Sequence, residues 1–432
     1  MSGLTSPQPI IQAARATPGF SRRAVAVFAI LALCFTICQF LRSALAVIAP
    51  DMMHESALGP REMGLITSSF FFAVAATQIP SGILFDRFGV RLVIAISLIA
   101  AVSGGLVFSY GHDFWAYTLG MLLLGVGTSP VFMGAIVLIG RWFSPQRFST
   151  LSGLMMSLGY LGNLAATRPL AQLAAWIGWR DSMAIASGLL GLSALLIAML
   201  VRDAPAGHAW SQRKPETLLQ VMRGVREVLA QPIIVGLFAA AFIGYSTSYA
   251  IRGLWIGPYL ADVRGLDALV RGNYLFVFAI MGTAGIFLTG WAAGRIGNPR
   301  PVVIGCALLA ATCMLIVALT PQSPLELLIG VLAIFSLVSN FYPAVLTHGQ
   351  AVFPEHLRGR SLTTVNFAVF AGVGITQVVT GFIIDAFPAL PDGSHPERAY
   401  LWMFGYLAAV GGTGAALYAL IAKFKSASSQ RK

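Results

Sequence analysis

Polar breaks divide the chain into twelve apolar stretches, near residues 24–49, 62–84, 91–111, 114–140, 149–176, 181–201, 232–258, 272–293, 301–320, 325–349, 361–386 and 400–422. A helix needs about 20 residues to cross a bilayer. Because the stretches are continuously apolar instead of alternating, they predict membrane helices and not barrel strands, and the Gly and Pro inside them are tolerated in that setting. The longest polar interruption runs from Arg202 to about Gln231 and separates six stretches from six. It predicts an N-terminal half over 1–201, a linker over 202–231 and a C-terminal half over 232–432. Within the linker, Leu218, Met222, Val225 and Leu229 share one helical face while Arg223 and Arg226 lie elsewhere. That pattern suits a helix on the membrane surface, with a plain solvated linker as the alternative.

Composition agrees: 57% of the residues are apolar and only 10% are charged, against about a quarter charged in soluble domains. An all-α polytopic membrane protein is predicted, and a soluble enzyme, a disordered chain and a disulfide scaffold are excluded. The net charge of +12 does not point to nucleic acid, because the basic residues fall in short clusters between spans. Of the 28 Lys and Arg, only Arg61, Arg180, Arg264, Arg271 and Arg398 fall on one set of alternate loops, and three lie inside spans. The remainder lie on the other set, so both termini are expected in the cytoplasm, with the protein in a bacterial inner membrane. The first stretch follows Arg22 and Arg23 and is too long for a signal peptide, so a retained helix is expected. Cys34, Cys38, Cys306 and Cys313 lie within apolar runs and read as packing residues. No metal or cofactor is expected, and with no convergent catalytic set the chain is not read as an enzyme.

The two halves repeat weakly at an offset of about 210 residues, as parallel six-helix units would. Between spans two and three stand Gly82, Leu84, Asp86, Arg87, Gly89 and Arg91; between spans eight and nine stand Gly290, Gly294, Arg295 and Gly297. Glycines there permit a tight turn, and a carboxylate among arginines can pair across the seam or accept bonds from a helix N-terminus. The motif, its loop, the span count and the half-length repeat together resemble the major facilitator superfamily. Phe85 and Val90 depart from the family pattern, and Gly294 replaces the carboxylate in the second copy. The resemblance implies two six-helix halves that rock around a central site, with Gly82, Asp86, Arg87, Gly89, Arg91 and Arg295 as gating residues.

Three arginines lie inside spans: Arg42, Arg168 and Arg252. Ionisable groups in hydrocarbon are costly and mark function by default. Each stands five to seven residues past its span's midpoint, which at 1.5 Å per residue puts all three roughly 8 to 10 Å outside the midplane. Arg42 and Arg252 are 210 positions apart, as repeat equivalents would be. Two guanidinium groups facing each other need an anion between them, and their planar forks match carboxylate, sulfonate or phosphate oxygens. Arg168 precedes Pro169 and has a second reading, in which it snorkels to the headgroups. Tyr245, Ser248, Tyr249 and Tyr259 lie on the Arg252 face, Gln39 precedes Arg42 by one turn, and Asn366, Phe370 and Gln377 share a face of span eleven. The expected substrate site is therefore Arg42, Arg252, Arg168, Gln39, Tyr245, Tyr249, Asn366 and Gln377.

Arginines in spans one and seven resemble the organophosphate antiporters, and the stretch Arg42 to Met52 resembles the anion:cation symporters, although Leu41 stands where those often carry an acid. The reading is a monomeric secondary carrier for a small organic anion in the lipid bilayer. Uptake would be balanced by proton symport or anion exchange, with His348 and Asp385 as candidate proton carriers. A drug or metabolite exporter and an anion sensor remain the alternatives.

Overall fold

The computed structural model describes residues 21–205, 218–353 and 355–429, and among these it contains helices and no strands. Among the described residues, eleven helices are long and apolar enough to cross a membrane. The first predicted span, expected over 24–49, divides into Arg22–Ser43 and Leu45–Ser56. In the fifth, one helix over 149–176 was expected and two shorter ones occur, Pro145–Ala165 and Arg168–Ile177. Pro169 has no N–H to give the Ala165 carbonyl, so the helix stops one turn earlier. Thr167 leaves helical geometry at φ −110 and ψ −118, and its hydroxyl donates to the Leu164 carbonyl at 2.6 Å. The tenth span is interrupted in the same way, into Leu325–Val338 and Tyr342–Val352. Pro343 there withholds its bond from Ser339.

The seventh span changes pitch in its middle. Ile233–Ala250 passes into a π-helical turn, Ile251–Trp255, before Ile256–Asp262 resumes the α form. Such turns insert one residue into the ladder and recur at functional positions. Trp255 anchors this one by donating its indole N–H to Thr380 Oγ1 of span eleven at 2.7 Å.

The halves meet tightly on the face opposite the described ends of the chain. Gly64 of span two lies against the Gln377 carbonyl of span eleven, where a Cβ would come within 2.5 Å of the oxygen. Gly257 of span seven lies equally hard against the Ala46 carbonyl at the end of span one. Small residues let membrane helices approach to backbone contact. Asp51 and Arg271 add an ion pair across the same seam at 3.8 Å. Arg61 lies over the Phe382 ring at 4.7 Å.

On the opposite face, the linker begins by capping a helix. Gly89 adopts φ +84 and brings no side chain to the start of Val90–Tyr110. Asp203 supplies the missing cap, accepting the Arg91 N–H at 2.9 Å, and a Cβ on Gly89 would meet its Oδ2 at 2.5 Å. Asp203→Ala is expected to cost about 1 kcal/mol of stability, the usual value of a cap, read as a lowered thermal unfolding midpoint in detergent. Residues 206–217 of the predicted linker lie outside the described residues. The following helix, Leu218–Leu229, forms as expected, but Val228 is its buried anchor while Met222 and Leu229 are exposed.

Candidate functional site

Between the halves lies a cavity of about 70 Å³, lined by residues of both. Span one contributes Gln39, Ser43 and Ala46, the broken fifth span Tyr160 and Asn163, and span seven Tyr245, Tyr249 and Arg252. Asn340, in the interruption of span ten, and Gly282 of span eight complete the charged end.

Arg252 sits in the π turn and is held by neutral groups. Its Nε and Nη2 donate to Ser248 Oγ at 3.1 and 2.8 Å, and Nη2 also donates to Asn340 Oδ1 at 3.1 Å. Gly282 leaves room for the guanidinium, since a Cβ there would stand 2.5 Å from Nη1. Among the described residues no carboxylate forms a salt bridge with it. A buried positive charge of this kind is stabilised best by an anion entering the cavity.

Arg42 takes a different place from the one predicted. Its guanidinium carbon lies 5.6 Å from the Phe70 ring centre and 5.4 Å from that of Phe370, one ring from each half. It is not among the residues lining the cavity, and its buried Nε has no hydrogen-bond partner among the described residues. Gln39, Ser43 and Ala46 line the cavity, and Arg42 stands at the edge of that face, where the helix Arg22–Ser43 gives way to Leu45–Ser56. Arg168 is also outside the cavity. As the first residue of Arg168–Ile177 its side chain is exposed, and the neighbouring Thr167 reaches the wall instead. Of the three arginines expected to converge, Arg252 thus lines the cavity, Arg42 lies beside it between two rings with the cavity residue Tyr245 as a hydrogen-bond partner, and Arg168 is exposed.

Of the remaining predicted residues, Gln39, Tyr245 and Tyr249 line the cavity and Asn366 and Gln377 do not. Tyr245 and Tyr249 stack with centroids 5.1 Å apart. Tyr249 packs edge-on against Phe71 across the seam at 5.2 Å. Gln377 is fully buried and donates to the Tyr249 carbonyl at 3.4 Å, while Asn366 accepts from the Tyr342 hydroxyl at 3.0 Å. The cavity residues not anticipated are Ser43, Tyr160, Asn163 and Asn340. Ser43 donates to Asn163 Oδ1 at 2.7 Å, and the i, i+3 spacing of Tyr160 and Asn163 is the signal that would have pointed to one face. Opposite the charged end the wall is thus neutral and rich in hydroxyl and amide groups.

The predicted gating residues lie away from this cavity, at the face of the termini. Gly82 is exposed, as are Asp86 and Arg87, the latter 5.4 Å from the Phe88 ring. Arg91 is engaged within its own half by Ala198 and Asp203, and Arg295 is exposed beside Trp291 at 5.8 Å. Of the candidate proton carriers, His348 is buried among Arg300 and Tyr418, accepting from Arg300 Nε at 3.3 Å and lying 2.7 Å from the Tyr418 hydroxyl. Asp385 lies on the opposite face beside Gly59.

The family model of the Major Facilitator Superfamily matches residues 31–377 and 256–431. The chain belongs to the major facilitator superfamily. It is 25% identical over 414 residues to a probable L-galactonate transporter of Escherichia coli K12, covering 86% of this chain and 83% of that protein. To the probable sulfoacetate transporter SauU of Cupriavidus necator it is 25% identical over 381 residues, covering 83% and 87%. It is also 23% identical over 289 residues to the membrane sensor protein UhpC of Salmonella typhimurium, covering 62% and 64%. Among solved structures, a bacterial homologue of the human lysosomal transporter Spinster, in an inward-facing and unoccupied conformation, superposes with a TM-score of 0.74 at 19% identity. That superposition covers 94% of this chain and 97% of the other. The protein is therefore a multi-pass membrane transporter of this fold and not an enzyme, and two of these relatives are named as probable transporters of organic anions.

Proposed function

We propose that this superfamily member carries a small organic anion across the bacterial inner membrane by alternating access, with the anionic group held at Arg252. The observation that carries this reading is a guanidinium on the cavity wall whose partners, Ser248 and Asn340, are both neutral. Across the cavity, Ser43, Tyr160, Asn163 and Gln39 offer hydroxyl and amide groups to a polar body. A hydroxylated carboxylate of the galactonate type, or a short sulfonate, fits one charged end and one neutral polar wall. The relatives named for L-galactonate and sulfoacetate support the same class.

The loop charges support an orientation with both termini in the cytoplasm. In that orientation the tight seam at Gly64 and Gly257 closes the outer side, and the arrangement is the inward-facing member of the cycle. Each unbalanced negative charge carried inward works against about 2.3 kcal/mol per 100 mV. Proton symport or anion exchange supplies the balance.

Counterflow into proteoliposomes tests this reading. Loaded galactonate is expected to accelerate uptake of labelled galactonate, with sulfoacetate competing and the neutral polyol galactitol failing to compete. Equal competition by galactitol would remove the anion requirement. The match to a sensor protein supports a second reading, in which the anion is bound and not moved. Saturable binding to the purified protein without any counterflow would favour the sensor.

A further inference from the structure

Asn340 stands where a membrane protein would usually place a countercharge. It is 5% exposed, in the interruption of span ten, and belongs to the cavity wall beside Arg252. Its amide is fixed at both ends. Oδ1 accepts from Arg252 Nη2 at 3.1 Å, while Nδ2 donates to the Gly282 carbonyl at 3.2 Å and the Ser336 carbonyl at 3.3 Å. A flipped amide would set donor against donor and oxygen against oxygen, so hydrogen-bond chemistry selects this orientation. The backbone of the same residue is held as well, its carbonyl accepting from Thr289 Oγ1 at 3.2 Å.

Three of the five guanidinium N–H groups are engaged: one on Nε by Ser248, and those of Nη2 by Ser248 and Asn340. Ser339 donates to the same Ser248 oxygen at 3.1 Å, so two consecutive residues of the span-ten interruption support the assembly. The two N–H groups of Nη1 remain, over the bare face of Gly282, which also lines the cavity. An aspartate at position 340 would be nearly isosteric and would accept the same bond from Nη2. It would also cancel the charge on which attraction of an anion depends, and it would bring a carboxylate oxygen toward two carbonyl oxygens.

We infer that Asn340 is a positioning residue that fixes the Arg252 guanidinium without neutralising it, and so sets the preference of the cavity for anions over neutral solutes. The inference rests on the reading of Arg252 as the anion-holding group. It assigns the role to charge and not to shape, which separates it from a purely structural asparagine.

The test is binding of galactonate and of galactitol to the purified full-length protein, since the two share a hydroxylated six-carbon frame and differ in one carboxylate. Asn340→Asp is expected to lower the ratio of galactonate to galactitol affinity at least about tenfold, a change in one charge contact. Asn340→Ser keeps a neutral acceptor and is expected to hold the ratio within about threefold of wild type. An unchanged ratio in N340D, or a parallel fall for both probes in N340D and N340S, would overturn the inference. Should N340D fail to fold, Ser339→Asp carries the test: it brings a carboxylate to Ser248, the other anchor of Arg252, and is expected to lower the ratio at least about tenfold, an unchanged ratio overturning the inference. Arg252→Ala separates this inference from the site reading. If R252A binds galactonate as wild type does, the site reading falls and the inference with it; if R252A loses binding while N340D keeps the wild-type ratio, only the inference falls. Failure of galactonate, sulfoacetate and glycerol phosphate alike to bind the wild-type protein overturns both.

Discussion

Lysine in place of Arg252 is expected to weaken binding of the transported anion at least about thirtyfold, although the positive charge is kept. The guanidinium performs two tasks at once. Through Nε and Nη2 it is anchored to Ser248 and Asn340, and Nη1 is left to face the cavity. An ammonium is a single point: satisfied by Ser248 and Asn340 it is withdrawn from the cavity, and extended toward the anion it leaves both of them unpaired. Equilibrium binding of galactonate to the purified variant measures the effect, and an affinity within about threefold of wild type would dismiss Arg252 as the anion group. The same change at Arg42 separates two roles. Arg42 lies between Phe70 and Phe370, from opposite halves, and off the cavity wall. Arg42→Lys is accordingly expected to slow turnover more than it weakens binding.

Alanine at Gly257 is expected to shift the protein out of the arrangement described here. The new Cβ would meet the backbone carbonyl of Ala46, which cannot rotate away as a side chain would, so the two helices must separate. Overpacking of this kind costs about 1–3 kcal/mol. Because the cost falls on a contact between halves, it acts on the balance between conformations, and about 1.4 kcal/mol already changes that balance tenfold. Spin labels at the exposed His54 and Leu269, on that face of the two halves, would report a longer distance in the variant, with slowed counterflow. Gly64→Ala is expected to act in the same direction, since its Cβ would stand 2.5 Å from the Gln377 carbonyl. An unchanged distance distribution together with normal counterflow in both variants would show that the seam opens and closes without these contacts.

The chain's apolar and polar pattern was sufficient for the architecture, because a bilayer accepts only segments that satisfy their own backbone bonds over its full thickness. The apolar helices and the motif at Gly82 to Arg91 were legible in local sequence. The division of the fifth span was legible as well, in Pro169, although the long apolar run around it masked the signal. Residue counting gives only an expected depth along each helix, since the rise per residue is constant. Rotation about the helix axis it does not give. Gln39 and Ser43 line the cavity while Arg42 between them packs on Phe70 and Phe370, rings that spans two and eleven bring to the edge of the same face. Nothing local to Arg252 names Asn340 as its partner, 88 positions later; Pro343 interrupts span ten beside it, and span packing brings that interruption to the π turn. The sequence by itself therefore determined which segments are long and apolar enough to cross a membrane, whereas the tertiary structure alone decided which charge faces the cavity, because helix rotation is set by packing between spans.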